Sequence, residues 1–135
     1  MEQTIAVVSD VKNISELLEG ASVDAARLVP SGGRLRLEMD LTRACPELQT
    51  RVRRGFVTRT KTPWTKSRLV LEEVAEASMT HADDRPAEQI PLLSCDAVPG
   101  GYTLTVHSPD GLRLQLRLEQ LTGRFVDTAS PGEAP

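Results

Sequence analysis

Two stretches of this chain alternate apolar and polar residues with a period of two. Residues 34–42 and residues 112–119 each carry four apolar side chains separated by single polar or charged ones. In an extended chain this period places all the apolar side chains on one side and the polar ones on the other. The pattern predicts half-buried strands of an antiparallel sheet. The apolar positions are Leu35, Leu37, Met39 and Leu41 in the first stretch and Leu112, Leu114, Leu116 and Leu118 in the second.

The second stretch belongs to a hairpin whose register follows from its turn. Ser108-Pro109-Asp110-Gly111 has proline and glycine where a type I turn with a G1 bulge favours them. That turn sets Ser108 opposite Leu112, and every later pair then falls on the apolar face, whereas a slip of one residue would set leucines against polar residues. The predicted pairs are Val106 with Leu114, Leu104 with Leu116 and Tyr102 with Leu118.

Further turn signals divide the rest of the chain into short elements. Pro30–Gly33 predicts a hairpin between residues 23–29 and 34–42, and Pro99–Gly101 predicts a type II turn after a strand over 90–98. Residues 4–9 are interpreted as a short strand or an extended segment.

A short helix is predicted after this first segment. Asn13 or Ser15 can cap its N-terminus, and Gly20 suits its end. The apolar positions of this helix are Ile14, Leu17 and Leu18.

These elements predict a mainly β fold, an antiparallel sandwich or open barrel of about six to eight strands with one short N-terminal helix; an α+β arrangement is the alternative. Residues 68–79 favour a strand, because leucine and valine follow a polar loop, but the sequence EEVAEA leaves a helix open. Residues 81–91 are predicted to form a loop. We expect one globular domain over residues 1–126, followed by a flexible C-terminal tail over 127–135.

Charge, apolar runs and cysteine spacing argue against a basic nucleic-acid-binding domain, a secreted protein and a membrane-spanning helix. The net charge of −3 argues against a nucleic-acid-binding domain of the usual basic kind. The N-terminal sequence lacks a signal-peptide pattern, and no stretch has the roughly 20 apolar residues of a membrane helix. Cys45 and Cys95 match no CxxC spacing, so we expect reduced thiols, with a disulfide between them as the alternative. The expected location is the cytoplasm.

One segment concentrates positive charge. Between Arg43 and Arg68 there are eight basic residues and one acidic residue, Glu47, together with two of the four aromatic side chains. The structural interpretation places basic side chains on the solvent face of an edge strand, where they discourage edge-to-edge pairing, with Phe56 and Trp64 in the core. These side chains are Arg51, Arg53, Arg59 and Lys61. The functional interpretations are an acidic protein partner and, second, a polyanion or nucleic acid. The candidate partner-binding residues are Arg51, Arg53, Arg54, Phe56, Arg59, Lys61, Trp64 and Lys66.

Enzymatic and metal-binding signatures are absent from the sequence. It contains no GxSxG, Walker, GxGxxG or HExxH motif, and its soft donors do not have metal-ligand spacing. We therefore predict no catalytic, cofactor-binding or metal-binding residues and no cofactor. A small-ligand site inside an open barrel is a third functional interpretation. The soft donors are Cys45, His81, Cys95 and His107.

The order of the strand patterns resembles a loose group of small bacterial β-rich domains of uncharacterised function, some of them immunity-protein-like. The resemblance is carried by Val23-Asp24-Ala25, by RLRLEMDL and RLVLEEVAE, and by GYTLTVHSPDGLRLQLRLEQLTGRFVD, and covers roughly residues 15–127. It implies a small binding protein without a cofactor and assigns no functional residue. With the basic segment, it leads us to expect a non-enzymatic cytoplasmic binding module for another protein.

Overall fold

The computed structural model describes residues 2–81, 92–108, 111–129 and 132, the side chains of Pro46 and His81 excepted. Its described part contains ten strands, one α-helix and one 3-10 turn. In chain order these are β1 (Glu2–Ile5), α1 (Val8–Leu17), β2 (Ser22–Ser31), β3 (Arg34–Ala44), the 3-10 turn (Pro46–Leu48), β4 (Thr50–Arg54), β5 (Val57–Lys61), β6 (Trp64–His81), β7 (Leu93–Val98), β8 (Gly101–His107), β9 (Leu112–Leu118) and β10 (Gly123–Asp127).

Eight of the strands form one antiparallel sheet that curls into a half-barrel around the core. The sheet follows the path β1-β10-β6-β9-β8-β7, and β3, which carries β2 on its outer edge, pairs with the other edge of β6. The predicted mainly β fold, an open barrel with one short helix, is confirmed. The remaining two strands, β4 and β5, pair only with each other.

The 18-residue strand β6 organises the sheet because it changes partners along its length. Its first half lies between β3 and β10, and its second half pairs with β9, so that β9 and β10 follow one another along the same edge. The change occurs at Glu73, which has a φ of 59°, and Val74 then pairs with both Leu35 and Leu118. The strand predicted over 68–79 is confirmed and the helix is wrong, since all of this segment lies in β6. Neighbouring strands bury its side chains Leu69, Val70, Leu71 and Val74.

The hairpin registers follow the sequence patterns closely. Between β8 and β9 the three predicted pairs are all present, and Ser108 N–H donates to the carbonyl of Leu112 at 2.8 Å. Between β2 and β3, Ser31 pairs with Arg34 across Gly32 and Gly33, which both have positive φ, as a type I′ turn requires. Side-chain pattern and turn glycines therefore agree in the β2–β3 hairpin. The β8–β9 register agrees with its side-chain pattern, and residues 109–110 of the predicted turn lie outside the described chain.

The start of the helix corrects the sequence analysis. The helix begins at Val8 after an N-cap at Val7, and the Asp10 carboxylate accepts hydrogen bonds from the N–H groups of Ala6 and Val7 at 2.9 and 3.1 Å. Asn13 and Ser15 lie within the helix, so a cap at either position is wrong. The preceding strand correspondingly ends at Ile5 rather than at residue 9.

The core consists mainly of leucine and valine side chains from the concave face of the sheet, covered at one end by α1. The helix packs against β7, where Ser15 Oγ donates to the carbonyl of Leu93 at 2.8 Å. Phe125 is the aromatic side chain of this core and is fully buried. The largest fully buried members besides Phe125 are Ile14, Leu18, Leu37, Met39, Leu41, Leu69, Leu71, Leu104, Leu116 and Leu118.

The C-terminal residues also depart from the prediction. Asp127 belongs to β10 instead of starting a flexible tail, Thr128 N–H donates to the carbonyl of Lys66 at 2.8 Å, and Gly132 forms a bridge with Trp64. The boundary predicted after residue 126 was therefore too early. Within the loop predicted over 81–91, residue 81 ends β6, and residues 82–91 lie outside the described chain.

Candidate binding hairpin

The centre of the basic segment is a β-hairpin, Thr50–Lys61, inserted between β3 and β6. Its strands pair from Thr50 with Lys61 to Arg54 with Val57, which leaves a two-residue turn at Gly55 and Phe56. Gly55 has a φ of 60° and Phe56 a negative φ, the combination of a type II′ turn. Local turn chemistry and β-branched valine and threonine thus account for the hairpin without help from the sheet.

The hairpin is exposed along its whole length. Every residue of β4 and β5 is exposed, and the side chain of Phe56 at the tip is 104% exposed, whereas Val57 beside it is 58% exposed. The interpretation that Phe56 fills the core is therefore wrong, and residues 51–61 form a separate hairpin rather than an edge strand of the main sheet. A two-stranded hairpin is marginally stable alone, so a bound partner would stabilise it further.

Positive charge covers both faces of this hairpin. Directly paired residues share a face of the hairpin. One face therefore carries Val52 beside Arg59 and Val57 beside Arg54. The opposite face carries Arg51 and Arg53. No acidic residue lies in the segment 50–61, and no ion pair among the described residues engages its basic side chains. The remaining residues of the chain contain eleven basic and nineteen acidic side chains, a net charge of −8. The five basic residues are Arg51, Arg53, Arg54, Arg59 and Lys61.

Two of the eight candidate residues lie off the hairpin. Trp64 is half-buried at the start of β6, beside the hairpin root. Lys66 lies on the outer face of the sheet, where its ammonium group contacts Asp24 at 3.3 Å and donates to Thr42 Oγ1 at 2.7 Å. Arg68 is similarly paired with Asp40 at 2.8 Å. The structure therefore brings together six of the eight candidates, all on the hairpin.

A buried polar cluster that the sequence analysis missed lies at the root of the hairpin. Arg43 is fully buried, and its guanidinium donates to Asp127 at 3.0 Å and to Glu47 at 2.9 Å. Ser67 Oγ donates to Asp127 at 2.7 Å, and the guanidinium carbon of Arg43 lies 5.6 Å from the centroid of the Phe125 ring. The signal was present in the sequence: the inward alternation of β3 continues beyond Leu41 to position 43.

Electrostatics within this cluster favour its charged forms. Burial raises the pKa of Asp127, but the Ser67 hydroxyl and the Arg43 guanidinium more than offset this and hold that pKa below its ordinary value. Burial likewise raises the pKa of Glu47, and its hydrogen bond to Arg43 brings the pKa below the usual range. A charged, hydrogen-bonded cluster of this kind fixes the local structure.

The other donor groups of the sequence do not converge on a site. Cys45 and Cys95 are free thiols, and burial raises the pKa of both, so neither is an activated nucleophile. Over the described ranges no three cysteine, histidine or acidic side chains are grouped as metal ligands. His107 pairs with Arg113 across β8 and β9, as the predicted register requires. In the part of the chain that is described, no helix combines the length and apolar composition needed to cross a membrane.

Comparison of the whole chain with protein-family models, with curated proteins and with solved structures finds no match.

Proposed function

We propose that this chain is a non-enzymatic binding module that engages an acidic segment of another protein through the hairpin Thr50–Lys61. The observation that carries the proposal is a projecting hairpin with five basic side chains, no acidic ones and a fully exposed Phe56 at its tip. Its charge would attract an acidic partner over about 10 Å at ordinary ionic strength. Phe56 would supply the apolar contact that steering alone does not provide.

Apolar side chains among the arginines support a protein partner. Val52 and Val57 are exposed beside Arg59 and Arg54, so one face of the hairpin mixes apolar and cationic contacts. Aromatic residues and arginine are the types that most often dominate the energetics of protein interfaces. A partner that alternates acidic and apolar side chains would complement this face.

A nucleic acid is the second candidate. A two-stranded ribbon fits a major groove, and an exposed aromatic ring can stack on an unpaired base. Phe56 at the tip favours this candidate. The net charge of −8 on the remaining residues opposes it, because phosphates would be repelled by the surface beside the hairpin.

We further propose that the protein acts in the cytoplasm, where both cysteines would be maintained as the free thiols observed. Its resemblance to immunity-protein-like domains would make a toxin one candidate partner. The proposal requires only that the partner present an acidic surface.

The proposal is tested by the affinity for a defined acidic peptide. The probe is a fluorescent 12-residue peptide of alternating glutamate and valine, measured by anisotropy against an alternating lysine and valine peptide of the same length. The triple variant Arg51→Glu/Arg53→Glu/Arg54→Glu should weaken binding by at least about tenfold, because like charges then face each other. Phe56→Ala should weaken it by about fivefold or more.

The matched control reverses the same number of charges elsewhere. Arg113, Arg117 and Arg124 are exposed on β9 and β10, and the triple glutamate variant there should bind like the wild type. Equal weakening by both triple variants would reduce the effect to net charge and refute the hairpin as the site. Tighter binding to a single-stranded oligonucleotide, with a log–log salt slope of roughly −0.7 per phosphate, would favour the second candidate.

A further inference from the structure

We propose that the C-terminal residues 127–129 and Gly132 clamp the root of the hairpin and fix its direction relative to the half-barrel. The root clamp consists of Arg43, Glu47, Thr65, Asp127, Ala129 and Gly132. The link to affinity depends on the proposed function, whereas the effect on the direction of the hairpin does not.

The root joins the hairpin to the sheet through two short arms. The first arm, residues 45–49, follows β3, and the second, residues 62–63, precedes β6. Cys45 N–H donates to the carbonyl of Pro63 at 2.7 Å, just beyond the last β3–β6 pair, Ala44 with Trp64. The sheet therefore ends at the point where the hairpin begins.

Side-chain contacts tie the first arm to the C-terminal residues. Glu47 lies in the 3-10 turn of this arm and accepts a hydrogen bond from Arg43 at 2.9 Å. The same terminal nitrogen of Arg43 donates to both carboxylate oxygens of Asp127, at 3.0 and 3.1 Å. Because the Arg43 side chain is fully buried, it connects β10 to the first arm from inside the half-barrel.

Backbone contacts tie the second arm to the same C-terminal residues. Trp64, which follows this arm directly, exchanges two hydrogen bonds with Gly132, at 2.6 and 2.8 Å. Thr65 Oγ1 donates to the carbonyl of Ala129 at 2.7 Å. The first residue of β6 is thus held between β3 on one side and the C-terminal residues on the other.

The clamp determines the direction of the hairpin because, among the described residues, the hairpin strands pair with no other strand. β4 and β5 pair only with each other, and their side chains are exposed. A hairpin that is held in one direction loses less conformational freedom on binding than one that swings freely. Residues 127–129 and Gly132 would therefore position the binding residues without contacting the ligand.

The test compares the clamp variant Glu47→Ala/Thr65→Val with the control variant Glu38→Ala/Thr42→Val in the full chain. The control removes matched contacts elsewhere in the sheet, namely the ion pair of Glu38 with Arg27 at 2.9 Å and the hydrogen bond from Thr42 to Asp24 at 2.7 Å. Backbone N–H residual dipolar couplings report the alignment of the hairpin and of the half-barrel separately, with no ligand present.

In the wild type and the control, one alignment tensor should fit both parts. In the clamp variant the tensor magnitude of the hairpin should fall to about half, since swinging on the ns–μs scale averages the couplings. An unchanged hairpin tensor in the clamp variant, or an equal fall in the control, would overturn the proposal. Glu47→Ala alone, at a side chain 36% exposed, gives the same test if the double variant unfolds, with a smaller fall expected.

The acidic alternating peptide then separates this proposal from the proposed function. Weaker binding by the clamp variant than by the control is expected if both are correct. If neither the wild type nor any variant binds the peptide, the proposed function is refuted. The residual dipolar couplings, measured without ligand, would still test the clamp. Full binding with an unchanged hairpin tensor would refute the clamp alone.

Discussion

Replacing Arg43 by methionine tests whether the buried cluster stabilises the fold. Methionine has a similar length but no charge. Asp127, whose side chain is only 11% exposed, would keep its hydrogen bond from Ser67 but lose its ion pair with the guanidinium group of residue 43. Removing one member of a buried ion pair costs about 3–5 kcal/mol because the other charge is left uncompensated. With a urea m value of about 1.5 kcal/mol/M, the midpoint should fall by about 2–3 M.

The assay is urea unfolding followed by far-UV circular dichroism at pH 7, with Arg68→Met as the matched control. Arg68 also pairs with an aspartate, Asp40, at 2.8 Å, but its side chain is 42% exposed, so its loss should cost less than about 1 kcal/mol. The double variant Arg43→Met/Asp127→Leu should recover much of the loss, since it leaves no unpaired carboxylate. Equal losses for Arg43→Met and Arg68→Met, or a double variant no more stable than the single one, would refute this reasoning.

Three further predictions concern single residues. The folded-state pKa of Asp127 is lowered, so its contribution to the free energy of unfolding is complete above about pH 4 and is lost as the pH falls through that lower pKa. The urea midpoints of wild type and Asp127→Asn should therefore converge only below about pH 4. Convergence near about pH 6 would contradict the direction of the pKa shift. Glu73 has a φ of 59°, so Glu73→Gly should raise the free energy of unfolding by about 0.5–1 kcal/mol. The control Glu76→Gly, at a residue without a positive φ, should lower it. If both variants lower the free energy of unfolding equally, Glu73 is not strained. Cys45 is fully buried and Cys95 only partly, so iodoacetamide followed by mass spectrometry should modify Cys95 first, and the reverse order would be inconsistent with the observed burial.

Patterns with local causes were predictable from the sequence. The register of β8 and β9 follows from one turn and one alternation, and both specify the same pairs. The start of the helix was not predictable in this way. Asn13 and Ser15 are common capping residue types, but the helix begins earlier, after Val7, and the Asp10 carboxylate takes the capping role.

The candidate site was also only partly predictable from the sequence. The concentration of basic residues in 51–61 was visible in the sequence, but its separation from the main sheet was not, since alternating strands look alike whether or not a third strand joins them. Arg43 belongs to the stretch of eight basic residues, and its burial is unexpected because arginine is seldom fully buried. Its partner Asp127 lies 84 positions away, a distance over which sequence patterns carry no pairing information.

The most direct measurement of the central claim is amide chemical-shift mapping during titration with the alternating glutamate and valine peptide. We expect the largest shifts within the hairpin Thr50–Lys61, centred on Phe56, with small shifts on β7 and β8. Phe56→Ala should reduce the affinity without moving the location of the shifts. Shifts concentrated on the half-barrel, with the hairpin amides unchanged at saturation, would contradict the assignment of the hairpin as the binding surface.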